Sequence, residues 1–281
     1  MRCAWQAYIN LLPQWMREKV DALGRTSLQE LRLRIGRPPE LITDGDKYYL
    51  DKNITGDDIN YCVNAASRYS PWSSTTVAKG YITAQGGHRV GICGDMATID
   101  GKNSTMRNVT SLCVRVARDY PGIGREAALL SGSLLIIGSP GRGKTTLLRD
   151  LIRQKNKTSS AVSVVDERRE LFPVSDGVFC FPPGIHTDVL SGCSKADGIE
   201  MLTRTMCPEW IAVDEITAEE DSKSLLRAYW CGVSMLATAH AENLTEFMHR
   251  PVYEPLIRHK VFESIIVMQP DKSWILERIH L

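Results

Sequence analysis

The sequence predicts an α/β protein in two parts: a smaller α+β domain over residues 1–120 and a larger domain with a parallel-rich sheet over residues 121–281. In the second half, apolar strand-like runs alternate with helical stretches, which is typical of βαβ units around a parallel sheet. The first half instead shows short alternating segments separated by turns. A turn-rich segment at residues 119–124 marks the expected boundary.

Composition narrows the class of protein. The 281 residues are 43% hydrophobic and 24% charged, which are globular averages that exclude a disordered chain. Apolar runs such as residues 134–137 are far shorter than the roughly 18 residues that a membrane span needs. The N-terminus also lacks the apolar core of a signal peptide. We therefore expect a cytoplasmic protein that can dock on a membrane protein.

Charge and cysteine content exclude further classes. The formal net charge is +1, so nothing global indicates nucleic-acid binding, and we expect none. The eight cysteines form no C-x-x-C pair and no His/Cys cluster with zinc spacing. We expect them to be scattered buried thiols rather than disulfides or metal ligands.

The elements of the first half follow from local patterns. An amphipathic helix is expected over roughly residues 1–20. Strict alternation at residues 31–35 predicts a strand with Arg32 and Arg34 on one face, either solvated or in contact with a neighbouring subunit. Residues 40–42 and 47–50 flank a turn and predict a hairpin. A helix near residues 56–69, short strands around 86–91 and a last strand over 109–117 complete this domain.

In the second half we expect strands at residues 133–137, 161–165, 210–213 and 233–237. Parallel sheets bind their ligands at the carboxyl ends of the strands. The polar residues that follow each strand are therefore the candidate site residues.

A phosphate-binding loop follows the first of these strands. Residues 138–145, GSPGRGKT, fit G-x-x-x-x-G-K-[ST] between a strand and a helix. Glycines let backbone N–H groups turn toward phosphates, and the helix N-terminus favours anions. Lys144 is expected to reach the β- and γ-phosphates of ATP, and the Thr145 hydroxyl to bind Mg²⁺. The predicted nucleotide-binding residues are Gly138, Ser139, Pro140, Gly141, Arg142, Gly143, Lys144, Thr145 and Thr146.

Two adjacent carboxylates indicate hydrolysis as well as binding. The apolar run at residues 210–213 ends in Asp214 and Glu215. Asp214 can hold the Mg²⁺ shell together with Thr145, and Glu215 can accept a proton from the attacking water as general base. Since a small-molecule kinase does not activate water, this pair favours an ATPase.

Two further strand ends carry candidate site residues. Asp166 and Glu167 follow the strand at 161–165, at the expected depth of the γ-phosphate. His240 follows the strand at 233–237 within Thr-Ala-His, where it can sense the γ-phosphate. We assign His240 to the catalytic residues and give Asp166 and Glu167 a possible role in the site.

These motifs resemble, in kind and order, the secretion and pilus-motor ATPases with a RecA-like core. More specific segments resemble the stage III sporulation AA family within that superfamily: residues 30–38 (ELRLRIGRP), 86–91 (GGHRVG), 166–168 (DER) and 204–209 (RTMCPE). The resemblance covers nearly the whole chain. It implies a RecA-like domain and an ATPase of the mother cell of a spore-forming bacterium. It also implies a homo-oligomeric ring, a hexamer, docked at the mother-cell membrane on a protein of the channel complex that links mother cell and forespore.

Arginines are the remaining candidates. Ring motors complete the site with an arginine from a neighbouring domain or subunit, because a guanidinium stabilises charge on the transferred phosphoryl group. Arg204 resembles the superfamily's arginine just upstream of the catalytic strand. Arg115 and Arg118 end the first domain, where they could reach a nucleotide. We expect at least one arginine of a larger candidate set to act on phosphate: Arg32, Arg34, Arg37, Arg89, Arg115, Arg118 and Arg204.

Two other classes of function stay open. A RecA-like nucleic-acid translocase would use the same phosphate loop, although the neutral charge disfavours it. A scaffold whose ATP state gates assembly of a membrane complex, with little turnover, would share every motif. Turnover by the purified protein separates these alternatives.

Overall fold

The computed structural model describes residues 1–67, 80–99, 102–157, 160–175 and 177–279. The chain forms two compact units, which we call unit 1 (Met1–Asp119 with Pro173–Cys180) and unit 2 (Tyr120–Phe172 with Phe181–Leu281). Residues 173–180, which the sequence analysis assigned to the larger domain, cluster with unit 1.

Unit 1 is an antiparallel sheet with helices packed on it. Its elements are α1 (Trp5–Asn10), α2 (Gln14–Ser27), β1 (Glu30–Arg34), β2 (Glu40–Ile42), β3 (Lys47–Tyr49), α3 (Gly56–Ser67), β4 (Tyr81–Thr83), β5 (Arg89–Ile99) and β6 (Lys102–Arg115). The strand order is β3-β2-β1-β6-β5-β4, and every neighbouring pair is antiparallel. Leu31 and Leu33 of β1 are fully buried in one core with Met16 of α2. The α+β prediction is confirmed.

Some boundaries differ from the sequence prediction. Pro13 has extended backbone (ψ 146°) and divides the expected helix over residues 1–20 into α1 and α2. The expected helix near 56–69 is present through Ser67, and residues 68–69 lie outside the described part of the chain. Of the strands expected around 86–91, residues 85–87 instead form a 3-10 turn, and β5 begins at Arg89. The strand expected over 109–117 is the end of β6, which stops at Arg115 and pairs with β5 as a long hairpin.

The arginines of β1 do lie on one face, and both form ion pairs within unit 1. Arg34 Nη1 lies 2.8 Å from Glu40 Oε2, and Arg32 bonds to Glu30. The pKa of Glu40 is lowered by its hydrogen bond to Arg34. This face is therefore neutralised in part by carboxylates of its own sheet.

The Gly-Gly-His-Arg segment is part of the unit 1 core. His88 is fully buried, with Nε2 3.0 Å from the Ala4 carbonyl oxygen, and its Nδ1 accepts the Ala117 N–H at 3.1 Å. These two partners fix the neutral ring with its hydrogen on Nε2. Burial lowers the pKa of His88 to about 4. The most specific motif of the first half is thus a packing element.

Unit 2 contains a seven-stranded sheet in the order β11-β8-β12-β13-β7-β14-β15. Every pair is parallel except β14–β15. Its elements are β7 (Leu134–Ile137), α4 (Lys144–Asn156), β8 (Val162–Asp166), β11 (Thr187–Ser191), α5 (Lys195–Thr205), β12 (Trp210–Ile216), α6 (Glu219–Trp230), β13 (Ser234–Ala239), α7 (Leu244–His249), α8 (Glu254–Arg258), β14 (Ser264–Met268) and β15 (Trp274–Glu277). Between β8 and β11, β9 (Val174–Ser175) and β10 (Val178–Phe179) form the hairpin that clusters with unit 1.

The four strands expected in this half are confirmed as β7, β8, β12 and β13, and their apolar residues are buried. Three strands of the sheet were not predicted. β11 lies at an edge and is only partly buried, so it lacks an apolar run. β14 is fully buried and is followed by the partly exposed edge strand β15. The parallel-rich sheet is confirmed.

The turn-rich segment at residues 120–124 is bound to unit 2. Asp150 Oδ2 of α4 accepts the N–H groups of Gly122 at 2.9 Å and Gly124 at 2.8 Å. A Cβ at position 124 would lie 2.7 Å from the backbone nitrogen of Leu151, so only glycine fits this approach. The segment is therefore fastened to α4 rather than a free connection.

The cysteines correct one expectation. None of the eight is in a disulfide, but only Cys62 is buried, and Cys93, Cys207 and Cys231 are exposed. The expectation of buried thiols was wrong for most of them. In the described ranges, no helix is long and apolar enough to cross a bilayer.

Candidate nucleotide-binding site

The phosphate loop joins the end of β7 to the first turn of α4. Gly143 has φ +94°, a left-handed conformation that glycine adopts without steric cost, and it turns the chain into the helix. Lys144 Nζ donates to the carbonyl oxygens of Gly138 at 2.6 Å and Ser139 at 3.0 Å. Burial lowers the pKa of Lys144. The Lys144 ammonium group is thus held by carbonyl oxygens of the loop itself. Residues 138–146 comprise this loop and the first residues of α4.

Beside the loop, two hydroxyl groups bond to one carboxylate. Thr145 Oγ1 donates to Asp214 Oδ2 at 2.9 Å, and Thr238 Oγ1 donates to Asp214 Oδ1 at 2.6 Å. Burial raises the pKa of Asp214. The adjacent parallel strands β12 and β13 bring Asp214 and Thr238 together at the carboxyl edge of the sheet. The two residues predicted to hold Mg²⁺, Thr145 and Asp214, are therefore in direct contact.

A bulge in β12 turns Glu215 out of the strand. The register with β13 shifts between Val213 and Ile216, and Glu215 has φ +52°. Its N–H donates to Thr238 Oγ1 at 2.7 Å, which fixes the backbone at this point. The carboxylate is one-third exposed. Glu215 consequently lies next to Asp214 with its side chain open to solvent.

Two side chains approach the Glu215 carboxylate from the neighbouring strands. His240 Nε2, after β13, lies 3.7 Å from Oε1. Arg168 Nη1, after β8, lies 3.3 Å from Oε2. Burial lowers the pKa of His240. The structure therefore places His240 beside the predicted base and adds an arginine on the opposite side.

Asp166 bonds to the loop that follows it. Its carboxylate accepts the N–H groups of Glu170 at 2.8 Å, Leu171 at 3.2 Å and Phe172 at 2.9 Å. Burial raises the pKa of Asp166 to about 6. In this arrangement Asp166 shapes the loop, and the residues after it face the site.

Lys195, at the start of α5, joins three elements. Its Nζ lies 2.7 Å from Glu167 Oε2 and 3.6 Å from Asp221 Oδ2, and its side chain is 6% exposed. Asp221 Oδ2 also accepts the Thr217 N–H at 3.0 Å ahead of α6. A cavity of about 20 Å³, lined by residues of the Asp166 loop together with Lys195, Asp214 and Glu215, has room for roughly one water.

Two of the predicted arginines, Arg115 and Arg118, bond to residues of unit 1, and the third lies on α5 of unit 2. Arg204 is at the C-terminal end of α5, the helix that begins with Lys195 at the site. Its side chain is 74% exposed and pairs with Glu200. Arg115 pairs with Glu30 at 3.2 Å, and Arg118 donates from Nε to the Arg25 carbonyl oxygen at 2.8 Å, both within unit 1. In the described part of the chain, Arg204 forms no contact with the phosphate loop of its own chain.

Sequence reasoning passed over three residues of this site: Arg168, Lys195 and Thr238. Arg168 and Thr238 lie inside motifs that were quoted for other residues. Lys195 carried a signal of its own, because a lysine in the first turn of a helix opposes the helix dipole and needs a nearby anion. The partly exposed Glu167 and the buried Asp221 supply that charge here.

Comparison with known proteins identifies the family. A family model described as "Sporulation stage III, protein AA" matches residues 8–275. The chain belongs to this family. It is 36% identical to Stage III sporulation protein AA of Bacillus subtilis (strain 168) over 277 residues, which cover 94% of this chain and 90% of that protein. It is also 26% identical to the uncharacterized protein ycf45 of Porphyra purpurea, over 89% of this chain but only 43% of that protein. The sporulation family resemblance seen in the sequence is confirmed.

Solved structures share the fold. The ATPase DotB of Legionella pneumophila matches with a TM-score of 0.62 and 18% identity, over 95% of this chain and 80% of that chain. The pilus retraction motor PilT, solved with bound ADP, matches with a TM-score of 0.57 and 16% identity, over 92% of this chain and 80% of that chain. The sporulation AA chain thus has the RecA-like fold that the motif order indicated.

Proposed function

We propose that this sporulation AA protein hydrolyses ATP with Mg²⁺ at the edge of its unit 2 sheet. The observation that carries the proposal is the 2.9 Å hydrogen bond between Thr145 Oγ1 and Asp214 Oδ2. It joins the phosphate loop to a strand end 69 residues later in the chain. Glu215, the next residue, has its carboxylate open to solvent beside this junction. A binding loop, a metal-binding pair and a base therefore meet at one point.

The residues present fit the two groups that the reaction needs. Mg²⁺ prefers hard oxygen ligands, retains several waters and uses few protein carboxylates. Thr145 and Asp214 offer one hydroxyl and one carboxylate at the same place. The glycine-rich loop at the N-terminus of α4 suits the phosphates of a nucleotide. Mg²⁺ held by Thr145 and Asp214 would offset the negative charge of the phosphates.

Each residue then has a separate task. Lys144 can exchange its loop carbonyl partners for phosphate oxygens, because its ammonium group already lies within the loop. Glu215 accepts a proton from the attacking water. Thr238 bonds to both Asp214 and the Glu215 backbone, so it holds the metal-binding residue and the base in register.

The wider function extends this proposal. As a member of the sporulation AA family, the chain would act in stage III of sporulation, as a cytoplasmic homo-oligomeric ring, a hexamer, docked on a membrane protein of the mother cell–forespore channel. Arg204 is exposed and far along α5 from the site. A role on phosphate would therefore place Arg204 at the nucleotide of a neighbouring copy in that ring.

The test combines turnover with assembly. Purified wild-type protein should release phosphate from ATP only with Mg²⁺. Lys144→Ala should weaken ATP binding, and Glu215→Gln should retain binding while turnover falls by about 100-fold or more. Glu219→Gln, an exposed carboxamide change on α6, is the matched control and should behave as wild type. Light scattering of Glu215→Gln with Mg·ATP should show a mass of about six subunits.

Other results of these experiments would favour one of the alternative functions. ATP binding without Mg-dependent turnover would contradict hydrolysis and support an ATP-gated scaffold. Turnover that rises strongly with single-stranded nucleic acid would support a translocase instead. A monomer at every concentration of Mg·ATP would contradict the ring.

A further inference from the structure

Glu215 lies at the centre of a line of three side chains along the sheet edge. The neighbouring strands in the sheet are β8, β12 and β13, in that order. Arg168 after β8 contacts one carboxylate oxygen at 3.3 Å, and His240 after β13 lies 3.7 Å from the other. The two oxygens of the carboxylate therefore have different surroundings, a cation on one side and an imidazole on the other.

The loop that carries Arg168 is fixed at both of its flanks. The residue before it, Glu167, bonds to the buried ammonium group of Lys195 at 2.7 Å. After it, the backbone N–H groups of residues 170–172 bond to the Asp166 carboxylate. A guanidinium group presents its donors in a planar fork, so a fixed loop gives it a defined direction toward a carboxylate. An incidental ion pair on the surface does not require a loop that is held by contacts on both sides of the arginine.

We propose that Arg168 is a positioning residue for Glu215: it holds one carboxylate oxygen and leaves the other, beside His240, to take the proton from water. The proposal rests on the proposed ATP hydrolysis. In the step, a water O–H bond breaks and its proton goes to Glu215 Oε1. The water oxygen forms a bond to the γ-phosphorus. The bond from that phosphorus to the β–γ bridging oxygen breaks, and its electron pair leaves with ADP.

Kinetics of matched variants test this role. Arg168→Gln should lower kcat by about 10- to 100-fold, since misplacement of a reacting group by about 1 Å can cost that much. The KM and the Kd for ATP should stay within about twofold, because Arg168 is assigned no contact with the nucleotide. Arg168→Lys should recover only part of kcat, since an ammonium group lacks the planar fork. Arg169→Gln, the same change at the exposed adjacent arginine, should match wild type.

A double variant and a spectroscopic measurement separate positioning from general stability. Arg168→Gln combined with Glu215→Gln should turn over no more slowly than Glu215→Gln alone, because the first residue acts through the second. In nitrogen-15 NMR spectra recorded without nucleotide, the Arg168 side-chain N–H signal should move on Glu215→Gln, and the Arg169 signal should not.

The outcomes are distinct. Wild-type kcat in Arg168→Gln, an additive loss in the double variant, or an unmoved Arg168 signal would overturn the inference while leaving ATP hydrolysis intact. Absence of Mg-dependent turnover in the wild type would overturn the proposed function, and the kinetic role of Arg168 with it.

Discussion

In unit 1, the polar residues of the most specific sequence motifs bond to their own fold, as His88 does to Ala4 and Ala117. In unit 2, Thr145, Asp214 and neighbouring residues come from distant parts of the chain and meet at one edge of a sheet. The difference follows from topology. Parallel strands gather their carboxyl ends at one edge, whereas an antiparallel sheet sends successive strand ends to opposite edges. A distinctive motif therefore indicates chemistry in the parallel sheet of unit 2 and packing in the antiparallel sheet of unit 1.

The largest loss of turnover should come from changing Asp214, which contacts Thr145 in unit 2. Asp214→Asn removes the charge that would hold Mg²⁺ but keeps the size of the side chain, so turnover should fall by about 100-fold or more. Phosphate release at saturating Mg·ATP measures it. The exposed Asp188→Asn on β11 is the control. Normal turnover in Asp214→Asn would mean that the contact with Thr145 is only structural.

The matching test in unit 1 uses acid. The folded state keeps His88 neutral down to a pKa of about 4, while the unfolded imidazole takes up a proton near pH 6.5. The unfolded state therefore binds more protons between these values. Unfolding free energy should fall by about 3 kcal/mol as the pH drops from 6.5 to 4. Urea unfolding of wild type and His88→Asn across this pH range gives the slope of unfolding free energy against pH for each protein. Equal slopes in the two proteins would contradict the prediction.

Asp166 in unit 2 should respond in the opposite sense. Its folded pKa is raised to about 6, so the folded state binds more protons between pH 3.8 and 6. Its contribution to stability is present at low pH and is lost as the pH rises through 6. Asp166→Asn should therefore lessen the loss of stability that rising pH causes in this window, measured in the same urea series.

An intermediate effect is expected where the chain enters unit 2. Gly124→Ala forces a methyl group against the backbone of α4, so unfolding free energy should fall by about 1–3 kcal/mol. Thermal unfolding measures it, and Gly45→Ala, in open space on a turn of unit 1 but at φ +149°, gives a comparison for backbone cost alone. An unchanged Tm for Gly124→Ala would show that residues 120–124 are not fastened to α4.

The smallest effect should come from Arg204. Its exposed pair with Glu200, one helical turn away, is worth about 0.3–0.5 kcal/mol. Arg204→Ala should leave the Tm within about 2 °C and lower turnover only at protein concentrations where copies assemble. Loss of turnover in a confirmed monomer would contradict its placement away from the site of its own chain.

Four strands of unit 2, β7, β8, β12 and β13, could be predicted from the sequence because they are largely buried apolar runs, each followed by polar residues. Asp214, Glu215 and the phosphate loop were found in this way. β14 is an equally buried run that we did not predict. β11 could not be found, since an edge strand that is only partly buried has no such run. Arg168 and Lys195 also escaped, because their importance depends on which carboxylate each contacts, and pairings between loops are set by packing rather than by spacing along the chain.

The strained backbone conformation of Glu215 limits which substitutions this position can accept without loss of function. A side chain at φ +52° is strained by about 1 kcal/mol relative to glycine, and Glu215 is the residue to which we assign proton transfer. Selection for heat resistance alone would favour glycine at this position and would remove the base. If turnover is selected together with heat resistance, we expect the stabilising substitutions to occur at positions other than 215.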